Sequence, residues 1–139
     1  MTQLDPYLFF DGNCAEAMRF YEKTLGGKLE MMMKASEAPA QEGCPTGNPD
    51  AVMHACVMIG ERRLMASDWM SPEAYPGMSG VSLALSYETV EEAKRRFEAL
   101  ADGGKVHMPL GKTFWVECFG MLADRFGTNW MVSGGKPAM

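Results

Sequence analysis

The sequence predicts an α+β fold of two paired βαβββ modules, forming a curved sheet with helices on its outer face. Three observations point there. EAMRFYEKTLGGKLEM, from Glu16 to Met31, lines up with EAKRRFEALADGGKVHM, from Glu92 to Met108, once one extra residue is allowed before the Gly-Gly pair. Each copy follows a short apolar stretch, YLFF in the first case and VSLALSY in the second. Two helical periodicities stand against eight strand-like runs, so the helices cover one sheet face and leave the other to form a cavity. A chain of 139 residues is one domain's worth. Its expected division is a first module over about 1–69, a linker over about 70–80 and a second module over about 81–135.

The elements follow in order. Tyr7 to Phe10 reads as a strand ended by the turn cluster Asp11-Gly12-Asn13. Asn13 is a candidate helix cap, with Glu16 three residues on, and Ala17, Phe20, Tyr21, Thr24 and Leu25 give the helix one apolar face. Gly26-Gly27 stops it, and Leu29 to Met33 is the next strand. Residues 35–50 hold three prolines and form the longest loop, a length that usually signals function or mobility. Val52 to Ile59, the turn GERR and Leu64 to Asp68 read as a β-hairpin. Met70 to Gly80 is the linker, with a lid as its alternative role. In the second copy the helix runs from about Thr89, its cap, to Ala101, with Ala93, Phe97 and Leu100 as its buried stripe. Strands near Lys105–Met108, Trp115–Leu122 and Asn129–Val132 follow, with Asp124 capping the turn Asp124-Arg125-Phe126-Gly127 through an Asx-type hydrogen bond.

Composition excludes several classes. Phosphate-backbone binding needs clustered Lys and Arg, whereas the net charge is −5 and the densest basic groups are Arg62-Arg63 and Lys94-Arg95-Arg96. The latter lies on a helix, where a solvated face accounts for it. No apolar run approaches the ~20 residues of a membrane span, and the N-terminus lacks the basic and apolar regions of a signal peptide. Cys14, Cys44, Cys56 and Cys118 are widely spaced with no CxxC pair, so free thiols and a cytoplasmic location are expected. The fourteen methionines suit either an irregular core or a pocket for varied apolar ligands.

The candidate site comes from strand alternation. If Glu61-Arg62 is the hairpin turn, His54, Cys56 and Met58 share a face with Met65, Ser67 and Trp69, while Ala55, Val57 and Ile59 take the other. The first face mixes imidazole, thiol, thioether, hydroxyl and indole, as a ligand cavity with a few placed polar groups does. His54 reads equally as a structural histidine bonded to a loop. In the second module Trp115, Glu117 and Phe119 alternate on one side of their strand. Aromatic rings flanking a carboxylate would stack on a planar ligand and desolvate Glu117, making it the general-base candidate if there is catalysis, with His54 as its partner. A solvent-facing Glu is the competing reading. His107 is read as a strand-end residue, Asp68 as a partner of a backbone amide, and Cys14 as packing at a helix start.

FYEKTLGGKL, MHACVMIGERRLMASD and DRFGTNW together resemble the vicinal oxygen chelate superfamily, the glyoxalase, bleomycin-resistance and extradiol-dioxygenase group built from paired βαβββ modules. PYLFFDGNCAEAMRFYE, TFWVECFG and DRFGTNW are most similar to its PhnB-like branch, often labelled a 3-demethylubiquinone methyltransferase. The resemblance spans essentially the whole chain and implies the fold more strongly than a function. Metal-dependent members carry His or Glu ligands on the first and last strands of each module. Those positions fall near Pro6, Ser67 or Asp68, Ser82 and Met131, a set that cannot hold a divalent ion, so no metal and no cofactor are expected. The resemblance implies a small aromatic or amphipathic ligand and a homodimer, with no nucleic-acid or membrane partner. Its alternatives are a lyase or isomerase using Glu117 and His54, an enzyme with relocated metal ligands, and, more weakly, a methyltransferase. The last needs a Gly-rich loop after a parallel strand, and no such motif occurs.

Overall fold

The computed structural model describes residues 2–37 and 49–137. The chain forms two compact units, Met1–Gly77 and Met78–Met139, a division that falls within the segment read as the linker. The long loop read at 35–50, with Cys44, lies largely outside the described residues; Ala35–Glu37 form a single 3-10 turn.

The first unit runs β1 (Tyr7–Phe10), α1 (Cys14–Leu25), β2 (Lys28–Lys34), β3 (Val52–Ile59) and β4 (Arg62–Asp68). Its sheet order is β1-β4-β3-β2, with β1 parallel to β4 and the other pairs antiparallel. Ala17, Met18, Tyr21 and Leu25 of α1 are buried with Phe10, Val57 and Leu64 of the sheet. Each large side chain so enclosed contributes roughly 1.5–3 kcal/mol. The expected apolar face of the helix is thus present, with Phe20 only half-buried at its margin.

Asn13 does not cap α1 as the sequence suggested, because its side chain makes no capping hydrogen bond. The carboxylate that serves the helix start comes from the far end of the unit. Asp68 Oδ1 accepts the Cys14 N–H at 2.9 Å, and Oδ2 accepts the Val52 N–H at 2.8 Å. One buried side chain thereby ties α1, β3 and β4 together.

The second unit repeats the plan with β5 (Leu83–Tyr87), α2 (Val90–Ala101), β6 (Lys105–Gly111), β7 (Val116–Ala123) and β8 (Asn129–Pro137), in sheet order β5-β8-β7-β6. Here the cap is local: Thr89 Oγ1 accepts the Glu92 N–H at 3.1 Å. Ala93, Phe97 and Leu100 form the buried stripe. Asp124 makes the expected Asx turn, accepting the N–H groups of Phe126 (2.8 Å) and Thr128 (3.2 Å), and its other oxygen accepts the indole N–H of buried Trp130 at 2.8 Å.

The Gly-Gly pair of the repeat has a division of labour. Gly26 (φ 68°) and Gly103 (φ 79°) take left-handed backbone as the chain leaves each helix. The second glycine lies against a strand: a Cβ on Gly27 would stand 2.6 Å from the Met58 carbonyl oxygen, and one on Gly104 would strike that of Ala123. Only a residue without a side chain lets the next strand start that close.

Candidate functional site

In the first unit the sheet face opposite α1 carries the candidate residues. The hairpin turns at Gly60-Glu61 rather than Glu61-Arg62, pairing Ile59 with Arg62 and Cys56 with Met65. The slip is two residues, an even number, so every side chain keeps the face assigned from alternation. His54, Cys56, Met58, Met65, Ser67 and Trp69 therefore share the alternation opposite to Ala55, Val57, Leu64 and Ala66, which are buried on the helix side.

Strand β1 adds two residues that hairpin reasoning missed. Tyr7 pairs with Met65 and Phe9 with Ser67, so both rings belong to this face, and they are 39% and 43% exposed. The Tyr7 hydroxyl lies 3.0 Å from His54 Nδ1, and the two rings stack with centroids 5.6 Å apart. Phe9 meets Trp69 edge to face at 5.5 Å, and Trp69 meets Tyr75 at 6.2 Å. The Trp69 indole donates to the Glu73 carbonyl at 2.9 Å, and the Tyr75 hydroxyl donates to the Phe9 carbonyl at 2.7 Å. These bonds strap the segment after β4 to the edge of β1 and complete a chain of contacting rings from His54 to Tyr75. YLFF places its two exposed rings two residues apart, a signal of a shared face; that this face is the one holding His54 depends on the parallel β1–β4 pairing.

The positions where the resemblance would put metal ligands do not fit a divalent ion. Ser67 is buried and donates to the Asp68 carbonyl at 3.0 Å. Asp68, the one carboxylate among them, points to the helix side and is taken up by two backbone N–H groups. Pro6 precedes β1, Ser82 precedes β5, and Met131 pairs with Ala84 and Met121. Among the described residues no three His, Cys, Asp or Glu side chains lie together.

In the second unit the expected aromatic–carboxylate–aromatic row is rearranged. Strand β7 begins at Val116, and Thr113 closes a turn by donating its N–H to the Val116 carbonyl at 3.3 Å. That turn folds Trp115 back until its ring meets Phe119 at 5.3 Å, a separation a regular strand over four residues could not give. Phe119 is buried; Trp115 and its neighbour Phe114 are exposed. Glu117 is also exposed, and its Oε1 accepts the Lys136 N–H at 2.6 Å. It faces a bulge on β8 where Gly135 takes φ 86°. Glu117 is therefore held by backbone and not desolvated between rings. His107 is exposed on β6. On the helix side, a groove of 650 Å³ has Phe97, Leu110 and Cys118 in its lining, with Lys94 and Lys112.

The three thiols among the described residues are held as thiols. Burial, reinforced by the Asp68 charge, pushes Cys14 up to about 12. Burial also raises Cys56, against the opposing charge of Arg63, and raises Cys118. The dipole of α1 therefore does not activate Cys14; packing is its role.

A family model described as the glyoxalase/bleomycin resistance protein/dioxygenase superfamily matches residues 3–132. The chain belongs to that superfamily. Protein YjdN of Escherichia coli K12 is 41% identical over 138 residues, covering 94% of this chain and 93% of that protein. A solved structure of protein PA1353 from Pseudomonas aeruginosa is 45% identical, covers 97% of this chain and 98% of its own, and superposes with a TM-score of 0.89. A Bacillus cereus structure titled a putative 3-demethylubiquinone-9 3-methyltransferase, PhnB protein, is 26% identical with a TM-score of 0.80, covering 96% of this chain and 100% of its own. The glyoxalase/bleomycin-resistance fold and the likeness to PhnB-like proteins thus agree with the sequence reading. No helix among the described residues is long and apolar enough to cross a membrane.

Proposed function

We propose that this superfamily member is a small-molecule-binding protein that works without a divalent metal and holds an aromatic or amphipathic ligand on the open sheet face of its first unit. The observation that carries the reading is the run of Tyr7, Phe9, His54, Trp69 and Tyr75. These are rings in mutual contact on an exposed sheet face, with a hydrogen-bonded Tyr–His pair at one end. Rings of this kind stack on planar ligands, and the imidazole and hydroxyl fix orientation. Cys56, Met58, Met65 and Ser67 would floor the site, while Trp115 and Phe119 are proposed as a separate aromatic ligand-binding surface of the second unit. The protein is further proposed to act as a cytoplasmic homodimer, with no nucleic-acid or membrane partner.

The test is a thermal-shift screen of small aromatic compounds, followed by calorimetry on hits with the full chain, His54→Ala and Trp69→Leu. A ligand at a hundred times its Kd should add about 2.7 kcal/mol of stability. Both variants should lose at least tenfold in affinity. Wild-type affinity in both would sink the proposal.

The Tyr7–His54 pair also favours a second reading, a lyase or isomerase in which it moves a proton, since a hydroxyl at 3.0 Å from an imidazole nitrogen is within transfer distance. Turnover of a bound compound that is lost in Tyr7→Phe would support it, and stoichiometric binding without turnover would exclude it. The methyltransferase name of the Bacillus cereus relative finds little support in this chain. The two strands that pair in parallel and lead into a helix, β1 and β5, are followed by Asp11-Gly12-Asn13 and Glu88-Thr89, and neither connection is a Gly-rich cofactor loop. Calorimetry should show no S-adenosylmethionine binding.

A further inference from the structure

The same unit holds a sulfur row that ring stacking does not explain. Across the sheet, Met65 pairs with Cys56 and Cys56 with Met31, while one row along His54 pairs with Met33. Directly paired residues share a face with Cβ atoms about 4.5–5.5 Å apart. Met31 reaches this face because the register of β2 shifts between Leu29 and Met31, leaving Leu29 opposite Val57 on the helix side. The next residue confirms the sense of the shift, since Met32 Sδ lies 3.9 Å from the guanidinium of Arg19 on α1. The result is a thiol flanked on both sides by thioethers. Cys56 is only 8% exposed, whereas Met31 is 42% exposed, so core filling does not account for its apolar side chain.

We propose that Cys56, Met31 and Met65 bind one soft monovalent cation, Cu(I) or Ag(I). Thiolate and thioether donors select soft ions and disfavour hard divalent ones. Metal–sulfur bonds of about 2.3 Å, the length of a zinc–thiolate bond, set sulfurs about 4 Å apart around the ion, within the reach of cross-strand neighbours. The bookkeeping closes without a redox step: the Cys56 S–H gives its proton to solvent, the thiolate bonds the cation, the thioethers donate neutral lone pairs, and the site gains no net charge. Because a proton leaves, affinity rises with pH. His54 and Met33 are next in line as further donors. The inference does not rest on the proposed organic ligand, whose contacts centre on Tyr7, Phe9, His54 and Trp69.

The experiment titrates the reduced full chain with Ag(I), and with Cu(I) against a chromogenic chelator, in a Cys44→Ser background. Cys14 and Cys118 are buried, as Cys56 is, but lack its paired methionines, so Cys118→Ser serves as the control and should leave binding unchanged. One equivalent should bind with release of one proton. Cys56→Ser should abolish binding, and Met31→Leu with Met65→Leu, which keeps side-chain volume, should weaken it at least tenfold with unchanged circular dichroism. X-ray absorption of the Cu(I) form should show three sulfur neighbours. Undiminished binding by either variant, or a single sulfur neighbour, overturns the proposal. The organic ligand's binding should survive the Met31→Leu substitution, so failure of one idea leaves the other standing.

Discussion

Asp68→Ala should be among the most damaging single substitutions in the first unit, although no ligand role is assigned to it. Each carboxylate oxygen accepts one N–H, from Cys14 at 2.9 Å and Val52 at 2.8 Å, and both residues are essentially inaccessible to water. A hydrogen bond to a charged group contributes about 1.5–3 kcal/mol, and a buried donor left without an acceptor loses its solvation as well. Removing both bonds should cost about 3–5 kcal/mol. Asp68→Asn keeps one acceptor and should cost roughly half, about 2 kcal/mol. With a urea m-value of about 2 kcal/mol/M, the unfolding midpoint of the Ala variant should fall by about 1.5–2.5 M, measured by circular dichroism. A Ser67→Ala control removes a neighbouring hydroxyl that bonds only the Asp68 carbonyl and should cost about 1 kcal/mol. An Asp68→Ala midpoint indistinguishable from wild type would refute the assignment of this carboxylate to the scaffold.

Two further expectations follow from the scaffold. Gly27→Ala and Gly104→Ala should each destabilise by about 1–3 kcal/mol, because a Cβ at either site meets a strand carbonyl, while Gly111→Ala, with nothing nearer than 3.9 Å, should be close to neutral in the same denaturation assay. Cys14 holds its proton to about 12 against a reference of 9.0, so the stability it contributes is whole below pH 9 and drains away as pH rises towards 12. Its share of the alkaline slope should reach about 1.4 kcal/mol per pH unit, so Cys14→Ala should flatten the pH dependence of the unfolding free energy over that window. Equal slopes in the two proteins would refute it.

Much of this was legible in the residues. Periodicity marked both helices, because Ala93, Phe97 and Leu100, like Ala17, Tyr21 and Leu25, repeat at a spacing that only a helix buries, and capping chemistry marked the start of the second. The open face of the hairpin was legible despite a wrong turn, since alternation survives an even slip. What failed depended on contacts distant in sequence. The acceptor at the start of α1 is Asp68, 54 residues away, so Asn13 looked sufficient on local grounds. The side to which Met31 points depends on the register shift in β2, and the position of Trp115 on a turn that alternation cannot see. Tyr7 and Phe9 joined the candidate site only through strand pairing with β4.

The paired glycines at the two helix exits have a consequence for how such a protein can change. At those corners the arbiter of any substitution is a neighbouring carbonyl oxygen, indifferent to whatever molecule is bound elsewhere. The open faces of the strands meet no such oxygen, and one unit can acquire sulfur and rings there without asking the other to follow. Kinship between the halves is therefore written where backbone crowds backbone, and a search for a site does best among the positions at which the two copies disagree.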